Sequence, residues 1–136
     1  MDQPFRWQTR IRFSDTDLSQ RIHYTAMFRH FEAAEQEFLR AIGFSFIGSP
    51  ELKDIGLPRV HVECDFSSDL RFDDAVDIDV TVERVGTSSF TLAFAASVAG
   101  RAAAKGKITA VCLDRRTERA TPIPAGMAQA LRKYLA

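Results

Sequence analysis

The sequence predicts an α+β domain of two layers, one long helix lying on an antiparallel sheet. Three observations carry this. One stretch of apolar residues repeats at helical spacing and is rich in Phe. Five stretches alternate apolar and polar residues with a period of two, the signature of half-buried strands. The connectors between the later strands are short, which suits antiparallel neighbours. At 136 residues the chain fits a single domain, 1–136, with one shared core.

The first strand signal places Phe5, Trp7, Thr9, Ile11 and Phe13 on one face and Arg6, Gln8, Arg10 and Arg12 on the other. It runs into the polar loop Ser14-Asp15-Thr16-Asp17. In the helix that follows, Met27, Phe31, Ala34, Phe38 and Ile42 form a stripe widened by Phe28 and Leu39. Arg29, Glu32, Gln36 and Arg40 lie mostly outside it. This predicts an amphipathic helix of about five turns, stopped at Gly43. Residues 44–56, with Gly48, Pro50 and Gly56, read as a loop with at most a short helix. Four strands follow. Val60, Val62, Cys64 and Phe66 mark the first, and Val76, Ile78, Val80 and Val82 the second. Phe90, Leu92, Phe94, Ala96 and Val98 mark the third, and the fourth runs from about Lys107 to Leu113. The expected connectors are 69–74, 86–89 and 100–106. After Pro122 and Pro124, Met127, Leu131 and Leu135 predict a short final helix. Of the eleven Phe, Phe28, Phe31 and Phe38 fall on the long helix. Phe5, Phe13, Phe66, Phe90 and Phe94 fall on the strand faces it is expected to cover.

Composition narrows the function classes. Eighteen Lys plus Arg against 18 Asp plus Glu give zero formal charge, without the cationic surplus that a general nucleic-acid binder needs. Hydrophobic residues at 46% and charged residues at 26% are ordinary for a globular protein. No basic segment followed by an apolar run marks a secretory signal, and no apolar window is long enough to span a bilayer. Cys64 and Cys112, far apart and in strand-like stretches, read as buried thiols of a cytoplasmic protein rather than as metal ligands. No metal and no separate cofactor is expected. No glycine-rich phosphate loop, nucleophile elbow or zincin motif occurs.

The junction of the first strand with the helix, Phe13 to Tyr24, is the candidate site. A helix N-terminus presents unpaired N–H groups and partial positive charge, able to hold the oxyanion formed when an acyl carbonyl is attacked. A carboxylate just before it can attack the carbonyl or take a proton from water. The plain alternative is that Asp15-Thr16-Asp17 is a turn or capping device.

The segment Asp15-Thr16-Asp17 through Tyr24, followed by Met27-Phe28-Arg29-His30-Phe31-Glu32-Ala33-Ala34, resembles the opening motif of hotdog-fold thioesterases, in particular the 4-hydroxybenzoyl-CoA thioesterase-like acyl-CoA thioesterases. Phe66 to Asp74 is similar to the family's strand end and Asp-containing turn. Gly86-Thr87-Ser88-Ser89 resembles its Gly-x-x-Ser turn, and Asp114 to Pro124 its last-strand exit. The resemblance implies a curved five-stranded sheet wrapped around the helix, and hydrolysis of an acyl-CoA thioester whose coenzyme A is part of the substrate. It also implies a homo-oligomer, dimer or tetramer, with the site at a subunit interface. Asp17 falls on the family carboxylate and the Tyr24 backbone N–H on the oxyanion donor. The family's Gly three residues after that carboxylate is here Gln20, followed by Arg21.

His23, beside Tyr24, is a candidate substrate contact. Ser88, Ser89 and Arg84 are candidates for the coenzyme, as are Arg101, Lys105 and Lys107. Glu35, inside the apolar arc of the helix, is either a salt-bridged carboxylate or a catalytic one. His30 and His61 read as structural. The rival functions are a carrier-protein thioesterase of the same fold and a non-catalytic acyl-thioester binder, the latter resting on Gln20.

Overall fold

The computed structural model describes residues 3–136. The chain runs β1 (Phe5–Arg10), a 3-10 turn (Phe13–Asp15), α1 (Ala26–Ala41), a second 3-10 turn (Pro50–Leu52), β2 (Ile55–Gly56), β3 (Arg59–Phe66), β4 (Ala75–Val85), β5 (Ser89–Val98), β6 (Arg101–Val111), β7 (Leu113–Asp114), β8 (Arg119–Ala120) and α2 (Ala125–Arg132). Strands β1, β4, β5, β6 and β3 form one antiparallel sheet in that spatial order, and β2, β7 and β8 a small second one. No helix among the described residues is long and apolar enough to cross a membrane.

The helix sits where its stripe predicts. Met27, Phe31, Ala34 and Phe38 are fully buried against the inward residues of β4 and β5, Val76, Ile78, Val80, Phe90, Leu92 and Phe94. Phe31 stacks on Phe94 with ring centroids 4.7 Å apart. The C-terminus closes as Gly43 predicts: Gly43 takes φ +102°, Phe44 N–H bonds to Leu39 O and Gly43 N–H to Arg40 O. This is the double bond of a Schellman stop, which only a left-handed residue after the cap permits.

Three expectations about the strands need correction. The first strand ends at Arg10, and Phe13 is 78% exposed. Ile11 pairs instead with the turn before β4, through Ile11 N–H to Asp74 O and Asp73 N–H to Ile11 O. The Asp15 carboxylate accepts Arg12 N–H, and this local bond curls the next residues into the 3-10 turn. The second correction concerns β6, which begins at Arg101 rather than near Lys107. Ala99 and Gly100, at φ +49° and +80°, make a two-residue hairpin between Val98 and Arg101, so 100–106 is strand and not connector. Gly106 is no turn residue: a Cβ there would meet Phe31 Cε2 at 2.4 Å, so it is small because the helix presses on it.

Third, Phe66 is not covered. Val62, Cys64 and Phe66 stand opposite Ile108, Gly106 and Ala104 and so share the helix face of the sheet. Yet Val60, Val62 and Phe66 are 62%, 51% and 43% exposed. The helix lies over β1, β4 and β5 and reaches Gly106 of β6 through Phe31, and it leaves much of the edge strand β3 uncovered.

Candidate functional site

The loop between β1 and α1 folds as a small hairpin. Thr16 and Ile22 form a bridge, Asp17 N–H bonds to Arg21 O and Gln20 N–H to Asp17 O. Gln20 takes φ +65°, the left-handed position that closes a three-residue hairpin loop and that glycine fills most easily. Gln20 thus takes a backbone conformation that a glycine at this position would adopt without a Cβ penalty. A strap from Leu70 to Phe72 backs the hairpin: Ile22 N–H bonds to Leu70 O and Phe72 N–H to Gln20 O. Arg21 pairs with Asp69 at 3.1 Å, and Asp69 also holds Arg71 at 3.0 Å. The Asp-containing turn after β3 is thus the support of the candidate loop, a role that periodicity does not reveal.

Asp17 is exposed at the hairpin tip. Its Oδ1 accepts both the Ser19 N–H at 2.8 Å and the Ser19 hydroxyl at 2.6 Å; Oδ2 has no partner among the described residues. The Ser19 hydroxyl, then the Ser19 N–H, hold the Asp17 pKa below the ordinary carboxylate value, since bonds to the charged form favour it. Tyr24 stands two residues before the helix. Its N–H has no acceptor among the described residues, whereas the two amides before it are bonded, Ile22 to Leu70 O and His23 to Asp15 O at 2.7 Å. The Tyr24 side chain lines a shallow cavity of about 200 Å³ with Arg21, Ile22, Phe66, Ser68, Asp69 and Leu70. His23 is exposed, stacks on Tyr24 at 4.7 Å and places Nδ1 2.8 Å from Thr25 Oγ1.

The other candidates separate. Arg84 donates to Ser89 Oγ at 2.8 Å, and Gly86 N–H bonds to Ser89 O, so these groups form one turn with Ser88. That turn lies beyond Val85, while the Asp17 loop adjoins the Ala75 end of the same strand. Ten residue steps of strand are about 33 Å. One protomer therefore does not bring Arg84, Ser88 and Ser89 to Asp17. Arg101 is at the near end, bonded to Ser68 Oγ and Asp69 O. Lys107 is paired with Glu83 at 2.7 Å, and Lys105 is exposed.

Glu35, 1% exposed, forms an ion pair with Arg59, whose guanidinium lies 5.8 Å from the Phe46 ring centroid. Burial pushes the Arg59 pKa down, against the opposing charge of Glu32. Of the two readings of Glu35, the geometry gives the salt bridge. His61 pairs with Glu63 at 2.8 Å on the surface. Cys112 is buried and Cys64 partly so. Burial raises both thiol pKa values to about 11, so neither is a ready nucleophile at neutral pH. No group of three or more His, Cys, Asp or Glu side chains suited to a metal occurs among the described residues.

The sequence pattern of the thioesterase-like superfamily matches residues 11–131. The chain belongs to that superfamily. A 1,4-dihydroxy-2-naphthoyl-CoA hydrolase of Prochlorococcus marinus is 27% identical over 124 residues, covering 86% of this chain and 82% of the relative. The structure of a gentisyl-coenzyme A thioesterase superposes with TM-score 0.83 at 29% identity, over 93% of this chain and 99% of the other. A 1,4-dihydroxy-2-naphthoyl-CoA thioesterase from Synechocystis, at 19% identity, shares the fold with TM-score 0.86 over 94% and 95% of the two chains. The superfamily member described here thus has the hotdog architecture that its motifs imply, and thioester hydrolysis is the activity class that its membership supports.

Proposed function

We propose that this superfamily member hydrolyses an acyl-CoA thioester, with Asp17 as the essential carboxylate and the Tyr24 N–H as oxyanion donor. One observation carries the reading: among the described residues, a carboxylate oxygen without a partner and a backbone N–H without an acceptor both lie on the short connection between β1 and α1. In the reaction, Asp17 Oδ2 attacks the thioester carbonyl carbon and the carbonyl oxygen takes the negative charge beside the Tyr24 N–H. Collapse expels the coenzyme A thiolate, a good leaving group, and leaves an acyl-aspartyl anhydride. Water then attacks the anhydride, releasing the acid and restoring Asp17. Asp17→Asn should abolish turnover while acyl-CoA binding persists; full activity in that variant refutes the assignment.

The site is read as shared between copies. The exposed inner face of β3, with Val60, Val62 and Phe66, adjoins the Tyr24 cavity and needs a cover of its own kind. Arg84, Ser88 and Ser89, on this reading, reach the coenzyme from a second protomer in a dimer or tetramer. His23 contacts the substrate beside Tyr24. The relatives named above act on dihydroxylated aromatic acyl groups, and Tyr24 and Phe66 offer aromatic walls here, so a hydroxylated aromatic acyl group is the substrate class favoured. Two free thiols suit a cytoplasmic setting. A hydrolysis screen over aromatic, short, branched and long acyl-CoAs, with acyl-carrier substrates alongside, distinguishes this from the carrier-protein alternative. The non-catalytic alternative, which rests on Gln20, predicts tight binding without hydrolysis across the same panel.

A further inference from the structure

Asp15 is buried just before the candidate hairpin. A buried carboxylate is tolerated only when its oxygens are satisfied, and three residues supply the donors. Arg12 N–H reaches Oδ2 at 2.8 Å, His30 Nε2 of α1 reaches the same oxygen at 2.8 Å, and Arg29 of α1 reaches Oδ1 at 3.4 Å. The carboxylate is an acceptor, so His30 carries its proton on Nε2. Its Nδ1 lies 3.1 Å from Thr9 Oγ1 on β1. Burial works to raise the Asp15 pKa, but Arg12 N–H, His30 and Arg29 together outweigh it and keep the group ionised.

The backbone of Asp15 has a second task. Its carbonyl accepts His23 N–H at 2.7 Å. Asp15 therefore ties the two ends of the hairpin together: Asp17 leaves it two residues later on one limb, and Tyr24 follows His23 on the other. We infer that His30 is a positioning residue, which anchors Asp15 to the helix and thereby sets Asp17 against the Tyr24 N–H. The inference rests on the roles proposed above for those two groups. His30 touches no reacting atom. Without its donor, the buried carboxylate keeps Arg12 N–H and the distant Arg29, and the hairpin root must shift to find another partner. Misplacement by about 1 Å can cost about 100-fold in rate.

The test compares wild type, His30→Gln, His30→Leu and Asp17→Asn in steady-state hydrolysis of an accepted acyl-CoA. The Gln amide nitrogen sits near the imidazole Nε2 position and preserves the donor to Asp15; Leu removes it. His30→Leu should lose about 10-fold to 100-fold in kcat with KM within about twofold of wild type, and His30→Gln should recover most of the loss. If His30→Leu does not fold, His30→Phe, which keeps a planar ring of similar size without the donor, should show the same loss in kcat at unchanged KM. Unchanged kcat in the folded variants, or equal losses in Gln and Leu that follow a lowered Tm, overturns the inference while Asp17→Asn remains inactive. An active Asp17→Asn overturns the parent reading instead, whatever His30 does.

Discussion

Gln20 is a non-glycine residue in left-handed backbone, at φ +65°. Such a conformation costs an L-residue about 1 kcal/mol relative to glycine. Gln20→Gly should therefore raise the melting temperature by a few degrees with kcat unchanged, as read by thermal unfolding beside a turnover assay. The balance is reduced by the extra freedom that glycine gives the unfolded chain. Asp17 makes a second prediction at this scale. Its folded pKa lies below the usual carboxylate value of about 3.9, and the reacting form is the charged one. Activity is therefore retained as pH falls until that lowered value is crossed. The profile of kcat/KM should show no acid-side inflection from Asp17 above about pH 4; an inflection above that value would mean that a group other than Asp17 is the essential carboxylate or base. The identity of Asp17 as a candidate was legible from its motif. The Asp15–His30 bond was not, because a contact between a turn and the second turn of a helix leaves no periodic trace.

Among the elements, helix α1 and the inward faces of β4 and β5 followed from spacing alone, since burial of one face imposes the period directly. The errors fell where a local bond or a tight turn overrode the pattern. Alternation continues through Phe13, but the Arg12 N–H to Asp15 bond ends the strand first. Ala99 at φ +49° carries no turn signature, and the Ala102-Ala103-Ala104 run that follows has little strand propensity, so the start of β6 was hidden. Gly106 looked like a loop residue for want of its neighbour. Its true constraint is testable. Gly106→Ala puts a methyl 2.4 Å from Phe31 Cε2 and 2.9 Å from Glu63 O, and should destabilise by about 1–3 kcal/mol. Adding Phe31→Leu should make the second loss smaller than the sum of the two single effects, as measured by a double-mutant cycle in urea.

At the scale of the whole molecule, one protomer holds the proposed catalytic hairpin at one end of the sheet and the Arg84–Ser88–Ser89 turn about 33 Å away. No reading of a single chain joins them; in the proposed shared site the exposed face of β3 is the surface that would meet the second copy. If they serve one substrate, inactive Asp17→Asn and coenzyme-weakened Arg84→Ala protomers should complement each other. In a mixed dimer, one of the two sites then has both groups intact. Co-refolded mixtures should regain activity above either parent, and a mixture no better than its parents would confine the site to one protomer.

The strap that backs the hairpin has a consequence for solvent. Ile22 and His23 each give their amide proton to a carbonyl, Leu70 O and Asp15 O, while the Tyr24 amide beside them gives its proton to none among the described residues. In deuterated water, the first two should exchange slowly, on the timescale of local opening, and the third quickly. The contrast across three neighbouring residues marks a donor kept ready by the rigidity of its surroundings. A bound acyl-CoA analogue whose carbonyl occupies that donor should slow the exchange of Tyr24 selectively.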